Sequence, residues 1–288
     1  MNPAAYEHPL AKYIRPSAKT TANCPGCGNG ILAQSILRAI EALGLTLDDF
    51  VFVSGIGCSA WIPSPSFYAD VLHTTHGRPI AFATGLKVAL PEKRAMVISG
   101  DGDLTAIGGN HLIHACRRNI DLTCILFNNQ TYGMTGGQTS PTMGVGDRST
   151  TARRGQIEPP FDLCRLAEAA GASFVARGTA GYIRGMEKLI KRGIQHKGFA
   201  FIEAVVPCPT EYGRRQGRGN VLDMLDDERA RSISRAKAAQ LPPEERAGRI
   251  VTGVLHEDTT APEFQEVHAA SARAHAEAAA KALAEEKK

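Results

Sequence analysis

The sequence has 288 residues, 43% of them hydrophobic and 22% charged, an ordinary globular composition sufficient for one large core and an appendage. A formal charge of +4, with Lys and Arg dispersed along the chain, gives no basic stripe for nucleic acid, and no apolar run is long enough to span a membrane. Seven cysteines behind a start, Met1 to Ala11, that lacks an apolar export segment argue against a disulfide framework, favour metal binding or burial, and predict a cytoplasmic protein.

The first periodic segment is Ile31 to Leu43, where Leu32, Ile36, Ile40 and Leu43 recur at helical spacing and Gly44 supplies a stop. Phe50 to Ser54 reads as a buried strand. Ile80 to Leu90 is mostly apolar and helix-like, and Pro91 ends it. A second strand runs over Ala95 to Ser99, a helix over Leu104 to Cys116, and a third strand over Leu122 to Phe127. Asn128 to Pro160 is a long segment rich in Gly, Thr and Ser. It is followed by a helix over Phe161 to Ala170, a strand over Ser173 to Ala176, a helix over Tyr182 to Gln195 and a strand over Phe199 to Val206.

Apolar strands alternating with helices predict an α/β fold over residues 1–219, a mostly parallel sheet with helices on both faces. Over 220–288 the character changes. Val221 to Arg249 is charged and Ala269 to Lys288 is rich in Ala, Glu and Lys, which predicts a C-terminal helical extension or a loosely ordered tail. Parallel sheets of this kind bind ligands beyond the carboxyl ends of their strands.

Two such ends carry suggestive residues. Asp101, flanked by Gly100 and Gly102, directly follows the strand Ala95 to Ser99, and Asn128 and Asn129 follow the next one. A carboxylate and a side-chain amide on neighbouring strands, about 5 Å apart, can share one Mg²⁺. A backbone carbonyl near Thr131, phosphate oxygens and water would complete an octahedral oxygen shell. Gly-Asp-Gly alone is a common turn and Asn-Asn a common loop start. The pair, separated by one helix-and-strand unit, matches the Mg²⁺ and diphosphate motif of thiamine diphosphate proteins.

Four cysteines also fall in predicted loops: Cys24 and Cys27 before the first helix, Cys58 after the first strand, and Cys208 between Pro207 and Pro209. Four thiolates suit a [4Fe–4S] cluster. Structural zinc accepts the same ligands, usually as two tight pairs, and an isolated CxxC can be a redox dithiol. Cys116, Cys124 and Cys164 lie among Leu, Ile and Ala and read as small buried hydrophobes.

Together these stretches resemble the β subunit of 2-oxoacid:ferredoxin oxidoreductases. The resemblance rests on CPGCGNG at 24–30, GIGCS at 55–59, HTTHGRPIAFATGLKVA at 73–89, GDGDLTAIGGNHLIHACRRNID at 100–121 and FNNQTYGMTGGQTSPT at 127–142, and it covers about residues 10–215. It implies a thiamine diphosphate site formed by Gly57, Cys58, Ser59, Gly100, Asp101, Gly102, Asp103, Asn129, Thr131, Tyr132, Gly133, Met134 and Thr135. It assigns Mg²⁺ to Asp101, Asn129 and the Thr131 carbonyl, and a [4Fe–4S] cluster to Cys24, Cys27, Cys58 and Cys208. It also implies decarboxylation of a 2-oxoacid, one-electron transfers through the cluster to ferredoxin, and capture of the acyl group by CoA, a reaction that can run in reverse as CO₂ fixation. The carboxylate that activates the cofactor has no counterpart here. The resemblance implies an α subunit that supplies it with the pyrimidine-binding domain, in an α2β2 assembly.

Within that family, Tyr132 to Gln138 and the single-cluster chain resemble the members acting on 2-oxoglutarate, with pyruvate or another 2-oxoacid as the close alternative. A different class, a non-redox thiamine diphosphate decarboxylase subunit, would make the cysteines structural. A second substrate carboxylate wants a cation or several donors, for which His73, His76 and Arg78 are the candidates. The lysines that some relatives carry near the positions of Trp61 and Gly136 are absent. Arg153, Arg154, Arg214, Arg215 and Arg218 are candidates for CoA phosphates or ferredoxin acids, set against plain solvated loops.

Overall fold

The computed structural model describes residues 8–18 and 21–286; residues 1–7, part of the start read for an export segment, lie outside them, as do 287 and 288 at the end of the expected tail. In chain order the main elements are α1 (Asn29–Ala42), β1 (Phe50–Ser54), β2 (Val71–His73), α2 (Pro79–Ala89), β3 (Arg94–Gly100), α3 (Gly109–Arg118) and β4 (Leu122–Asn128). A small hairpin follows, β5 (Thr131–Tyr132) and β6 (Gln138–Thr139), then α4 (Leu163–Ala169), β7 (Phe174–Thr179), α5 (Ile183–Gln195) and β8 (Phe199–Val205). The last quarter contains α6 (Val221–Arg231), β9 (Ser232–Ser234), α7 (Arg235–Gln240), α8 (Pro243–Arg246), β10 (Ile250–Glu257) and α9 (Phe264–Glu286).

The sheet has eight strands in the order β2-β1-β3-β4-β8-β7-β10-β9, parallel except where β10 runs antiparallel to β7. Its inner strands are apolar on both faces, as a parallel sheet covered on both sides requires. Along β3, Met96 and Ile98 meet the layer containing α1 and α5, while Ala95 and Val97 meet the layer containing α2, α3 and α4. On β8, Ala200 and Ile202 take the first side and Phe199 and Phe201 the second. Each such fully buried large side chain contributes about 1.5–3 kcal/mol. Glu203, the next residue of β8 on the second side, is a carboxylate with only 3% exposure.

The α/β architecture is the predicted one, with several differences that have local causes. The helix expected over Leu104 to Cys116 is two pieces, a wide turn over Gly102–Ile107 and α3, broken at Gly108. A Cβ on Gly108 would lie 2.7 Å from the Gly77 carbonyl, so two backbones meet where the helix breaks. The strand expected over Ser173 to Ala176 continues to Thr179, because the charge of Arg177 is paired inside the fold with Glu203 and Asp162. The Gly- and Thr-rich segment after Asn128 contains the β5–β6 hairpin. Beyond Gly219 the chain is not only helical: β10 covers the edge of β7, and β9 pairs with β10. An unpaired β7 would leave a row of free N–H and C=O groups, which explains why this short sequence is drawn into the sheet. No helix among the described residues is long and apolar enough to cross a membrane.

Candidate cofactor site

Strands β1, β3, β4 and β8 are neighbours and run parallel, so their carboxyl ends lie side by side. Those ends lead into Gly55–Cys58, Asp101, Asn129 and Pro207–Cys208 respectively. One cavity is lined by Gly57, Cys58, Ser59, Gly100, Asp101, Gly102, Asp103, Asn129, Thr131, Tyr132, Gly133, Met134 and Thr135, the whole group expected at the cofactor, together with His76 and Ile56.

Asp101 is 2% exposed, and its carboxylate accepts from the Thr142 hydroxyl at 2.5 Å. Burial raises its pKa to about 6, opposed by the hydroxyls of Thr142 and Ser140. A buried carboxylate surrounded by hydroxyls and amides is a fitting ligand for a hard cation. Asn129 approaches from β4. Its side-chain oxygen accepts from the Thr131 amide at 3.3 Å, while the Asn128 side chain accepts from the Gln130 amide at 3.2 Å. These two bonds hold Gln130 at φ +60° in the left-handed region, turning the chain into the hairpin. The Tyr132 hydroxyl donates to the Gly102 carbonyl at 3.1 Å, and a Cβ on Gly102 would lie 2.3 Å from the Tyr132 ring. The glycines of the Gly-Asp-Gly turn thus bring bare backbone to the cavity, as a diphosphate requires.

Asp103 points the other way, into the protein. Its carboxylate accepts from the Gly77 amide at 2.7 Å, the Ile56 amide at 3.2 Å and the Ser99 hydroxyl at 2.8 Å. It ties the loops after β1 and β2 to the end of β3. His76 Nδ1 lies 2.5 Å from Asp103 Oδ1 without the alignment of a hydrogen bond, and its ring stands edge-on to Tyr132. Arg78, the residue before α2, does not line the cavity; its guanidinium donates to the Gly77 and Ile107 carbonyls at 3.4 and 3.5 Å. His73 makes a 3.2 Å hydrogen bond with the Ser54 hydroxyl. Arg153, Arg154 and Arg214 are exposed, whereas Arg215 pairs with Glu211 and Arg218 with Asp227.

The four loop thiols gather beside this cavity. A Cβ on Gly133 would stand 3.5 Å from Cys58 Sγ, 3.8 Å from Cys208 Sγ and 3.8 Å from the Asn129 amide nitrogen. Cys24 and Cys27 are brought in by a clamp: the Gly28 amide donates to the Pro207 carbonyl at 3.0 Å, and a Cβ on Gly28 would lie 2.5 Å from the Pro207 ring. Burial pushes the Cys27 thiol up to about 12, offset by the Asn29 amide that donates to it and reinforced by the neighbouring Cys208, Cys58 and Cys24. Burial, then Cys208 and Cys24, takes Cys58 up to about 11. Four thiolates on one zinc would sit about 3.8 Å from each other. Among the described residues no three His, Cys, Asp or Glu side chains approach closely enough for a single ion. Four cysteines close enough to influence one another beside the cavity offer the donor set of an iron–sulfur cluster or of structural zinc. Cys116, Cys124 and Cys164 are buried in the second core layer, as expected.

Sequence reasoning left out Ser140 and Thr142, which were legible only as part of a Thr- and Ser-rich stretch, and Ile56. It also read Cys164 as a plain hydrophobe, whereas its thiol donates to Glu203 at 3.2 Å.

Residues 55–204 match the family model of the C-terminal TPP-binding domain of thiamine pyrophosphate enzymes. The chain is 52% identical to the 2-oxoglutarate synthase subunit KorB of Methanocaldococcus jannaschii, over 91% of this chain and 96% of that one. It is 44% identical to the 2-oxoacid:ferredoxin oxidoreductase subunit beta of Saccharolobus solfataricus, over 65% of this chain and 62% of that one. Its fold matches a 2-oxoglutarate:ferredoxin oxidoreductase from Magnetococcus marinus, solved with 2-oxoglutarate, coenzyme A and succinyl-CoA bound. The TM-score is 0.81 at 31% identity, covering 94% of this chain and 92% of that chain.

Proposed function

The chain belongs to the family of 2-oxoacid:ferredoxin oxidoreductase β subunits, and we propose that, together with an α subunit, it carries out the CoA-dependent oxidative decarboxylation of 2-oxoglutarate to succinyl-CoA in the cytoplasm. Two relatives among those described point to this substrate, since both are named for 2-oxoglutarate. Asp101, Asn129 and the Thr131 carbonyl hold Mg²⁺ and, through it, the diphosphate of thiamine diphosphate. Cys24, Cys27, Cys58 and Cys208 hold a [4Fe–4S] cluster.

Thiamine diphosphate supplies the carbon that adds to the 2-oxo carbon, and the cluster supplies a one-electron acceptor that hands on to ferredoxin. The chain's own residues bind and position. Gly102 makes room for the Tyr132 ring, whose hydroxyl closes over the Gly102 backbone, and His76 projects from the loop that Asp103 fixes. Gly133 supports the reading most directly. One residue without a side chain adjoins the Asn129 amide and the thiols of Cys58 and Cys208, so cofactor and electron acceptor share a wall. A partner α subunit provides the pyrimidine-binding domain and its activating glutamate, in an α2β2 assembly.

The test is anaerobic co-purification with that subunit, followed by CoA-dependent reduction of a viologen dye with a panel of 2-oxoacids. Preferential turnover of 2-oxoglutarate is expected. A preference for pyruvate would overturn the substrate, and an iron-free, CoA-independent decarboxylase would overturn the redox reading.

A further inference from the structure

Beneath the Asn128–Thr131 loop lies a buried polar network that the reaction itself does not use. Glu203, on β8, is 3% exposed and receives three donors. Asn128 Nδ2 donates to its Oε1 at 2.7 Å, while Arg177 Nε at 2.6 Å and the Cys164 thiol at 3.2 Å donate to its Oε2. Arg177 is also paired with Asp162 at 2.7 Å. Charge buried at this depth costs several kcal/mol unless every partner is in place. Each partner here is in place.

We infer that Glu203 is a positioning residue for the metal-binding loop, acting through Asn128. The chain of cause runs upward. Glu203 Oε1 takes the amide nitrogen of Asn128, which fixes the orientation of that side chain. The Asn128 oxygen is then turned to the Gln130 amide, where it stabilises the left-handed residue at φ +60°. With Gln130 fixed, Asn129 and Thr131 are presented to the cavity opposite Asp101. Arg177 sets the polarity of the arrangement, because a guanidinium has donors only and must face an oxygen. The inference rests on the reading of Asp101, Asn129 and Thr131 as the Mg²⁺ and diphosphate site.

Hydrogen-bond polarity gives a specific test. In Glu203→Gln, Arg177 still claims the single oxygen, so the introduced NH₂ faces Asn128. Two amide nitrogens then oppose each other, Asn128 must flip, and Gln130 loses its acceptor. In Arg177→Met/Glu203→Gln the introduced amide is free to turn its oxygen back to Asn128. Full-length protein, purified with its partner subunit, is titrated with thiamine diphosphate by calorimetry across a range of Mg²⁺ concentrations. Iron content and melting temperature are measured alongside.

Glu203→Gln is expected to raise the Mg²⁺ concentration needed for half-saturation about 10- to 100-fold, the usual effect of removing a group that orients a metal ligand. The double variant is expected to recover most of that loss. An unchanged Mg²⁺ requirement in Glu203→Gln overturns the inference, as does a double variant at least as impaired as the single one, which would mark the network as support for the fold alone. Absence of Mg²⁺-dependent binding in the unaltered protein would instead overturn the assignment of the site itself.

Discussion

Replacing Asp103 separates two roles that a carboxylate at a cofactor site can have. The structure gives this side chain protein partners on both oxygens: the Gly77 and Ile56 amides on Oδ1 and the Ser99 hydroxyl on Oδ2. In Asp103→Ala both amides lose their acceptor. A hydrogen bond to a charged group contributes about 1.5–3 kcal/mol, so the two amides put the cost at about 3–6 kcal/mol. In Asp103→Asn the remaining oxygen can still face both amides, and the Ser99 hydroxyl can rotate to accept from the new NH₂. Only the charge assistance to the two amides is lost, about 2–3 kcal/mol. Urea unfolding followed by circular dichroism, with equal m-values, gives the two differences from the midpoints. Hydrogen exchange at Ile56 and Gly77 shows where the loss falls, with faster exchange at both amides in the alanine variant. Equal costs for Asn and Ala, or a cost below about 1 kcal/mol for Ala, would refute the view that this carboxylate ties the three loops together.

Cys208→Ser removes one of the four loop thiols and is expected to lower the iron bound per chain in anaerobic preparations, whereas Cys116→Ala, in the second core layer, leaves it unchanged. Full iron in the serine variant would remove Cys208 from the ligand set. Glu228 accepts from the Gly181 amide at 3.1 Å, and burial raises its carboxyl from 4.5 to about 8. Between those values the unfolded chain releases this proton while the folded chain keeps it, so the contribution of this group to stability declines as pH rises through the window. Glu228→Gln is therefore expected to gain melting temperature relative to the unaltered protein on going from pH 5 to pH 8. Parallel melting curves across that range would show that Glu228 does not titrate there.

What could be read from the sequence depended on how locally each feature is determined. Helix α1 and strands β1, β3, β4 and β8 are defined by their own apolar pattern, and the loops that follow the four strands inherit their places from parallel order alone. Hence the order of the sequence alone brings Asp101, Asn129, Cys58 and Cys208 to one edge of the sheet. Arg177 shows the limit. A charge in the middle of β7 looks like an end to the strand, and only the partners Glu203 and Asp162, distant in sequence or lying in a loop, reverse that. Strand β10 is similar, since it forms to cover an edge that the sequence does not reveal. The Thr142 hydroxyl is separated from Asp101 by 41 positions, and its 2.5 Å bond comes from the path of a long loop. Arg78 is exposed on the same loop, and its guanidinium reaches the Gly77 and Ile107 carbonyls.

The clamp between Gly28 and Pro207 also bears on how the protein is made. Cys24 and Cys27 leave the ribosome long before Cys208, yet they meet it only after β8 has entered the middle of the sheet, between β4 and β7. Until then a nascent chain offers a two-thiol hook and one further thiol after β1. A metal group that needs all four can be inserted only at the end, into a sheet already closed, and once inserted it stabilises that closed state in proportion to how tightly it is held. Loss of such a group would free the loops that carry the four cysteines, while the apolar core on both faces of β8 would still hold the strand.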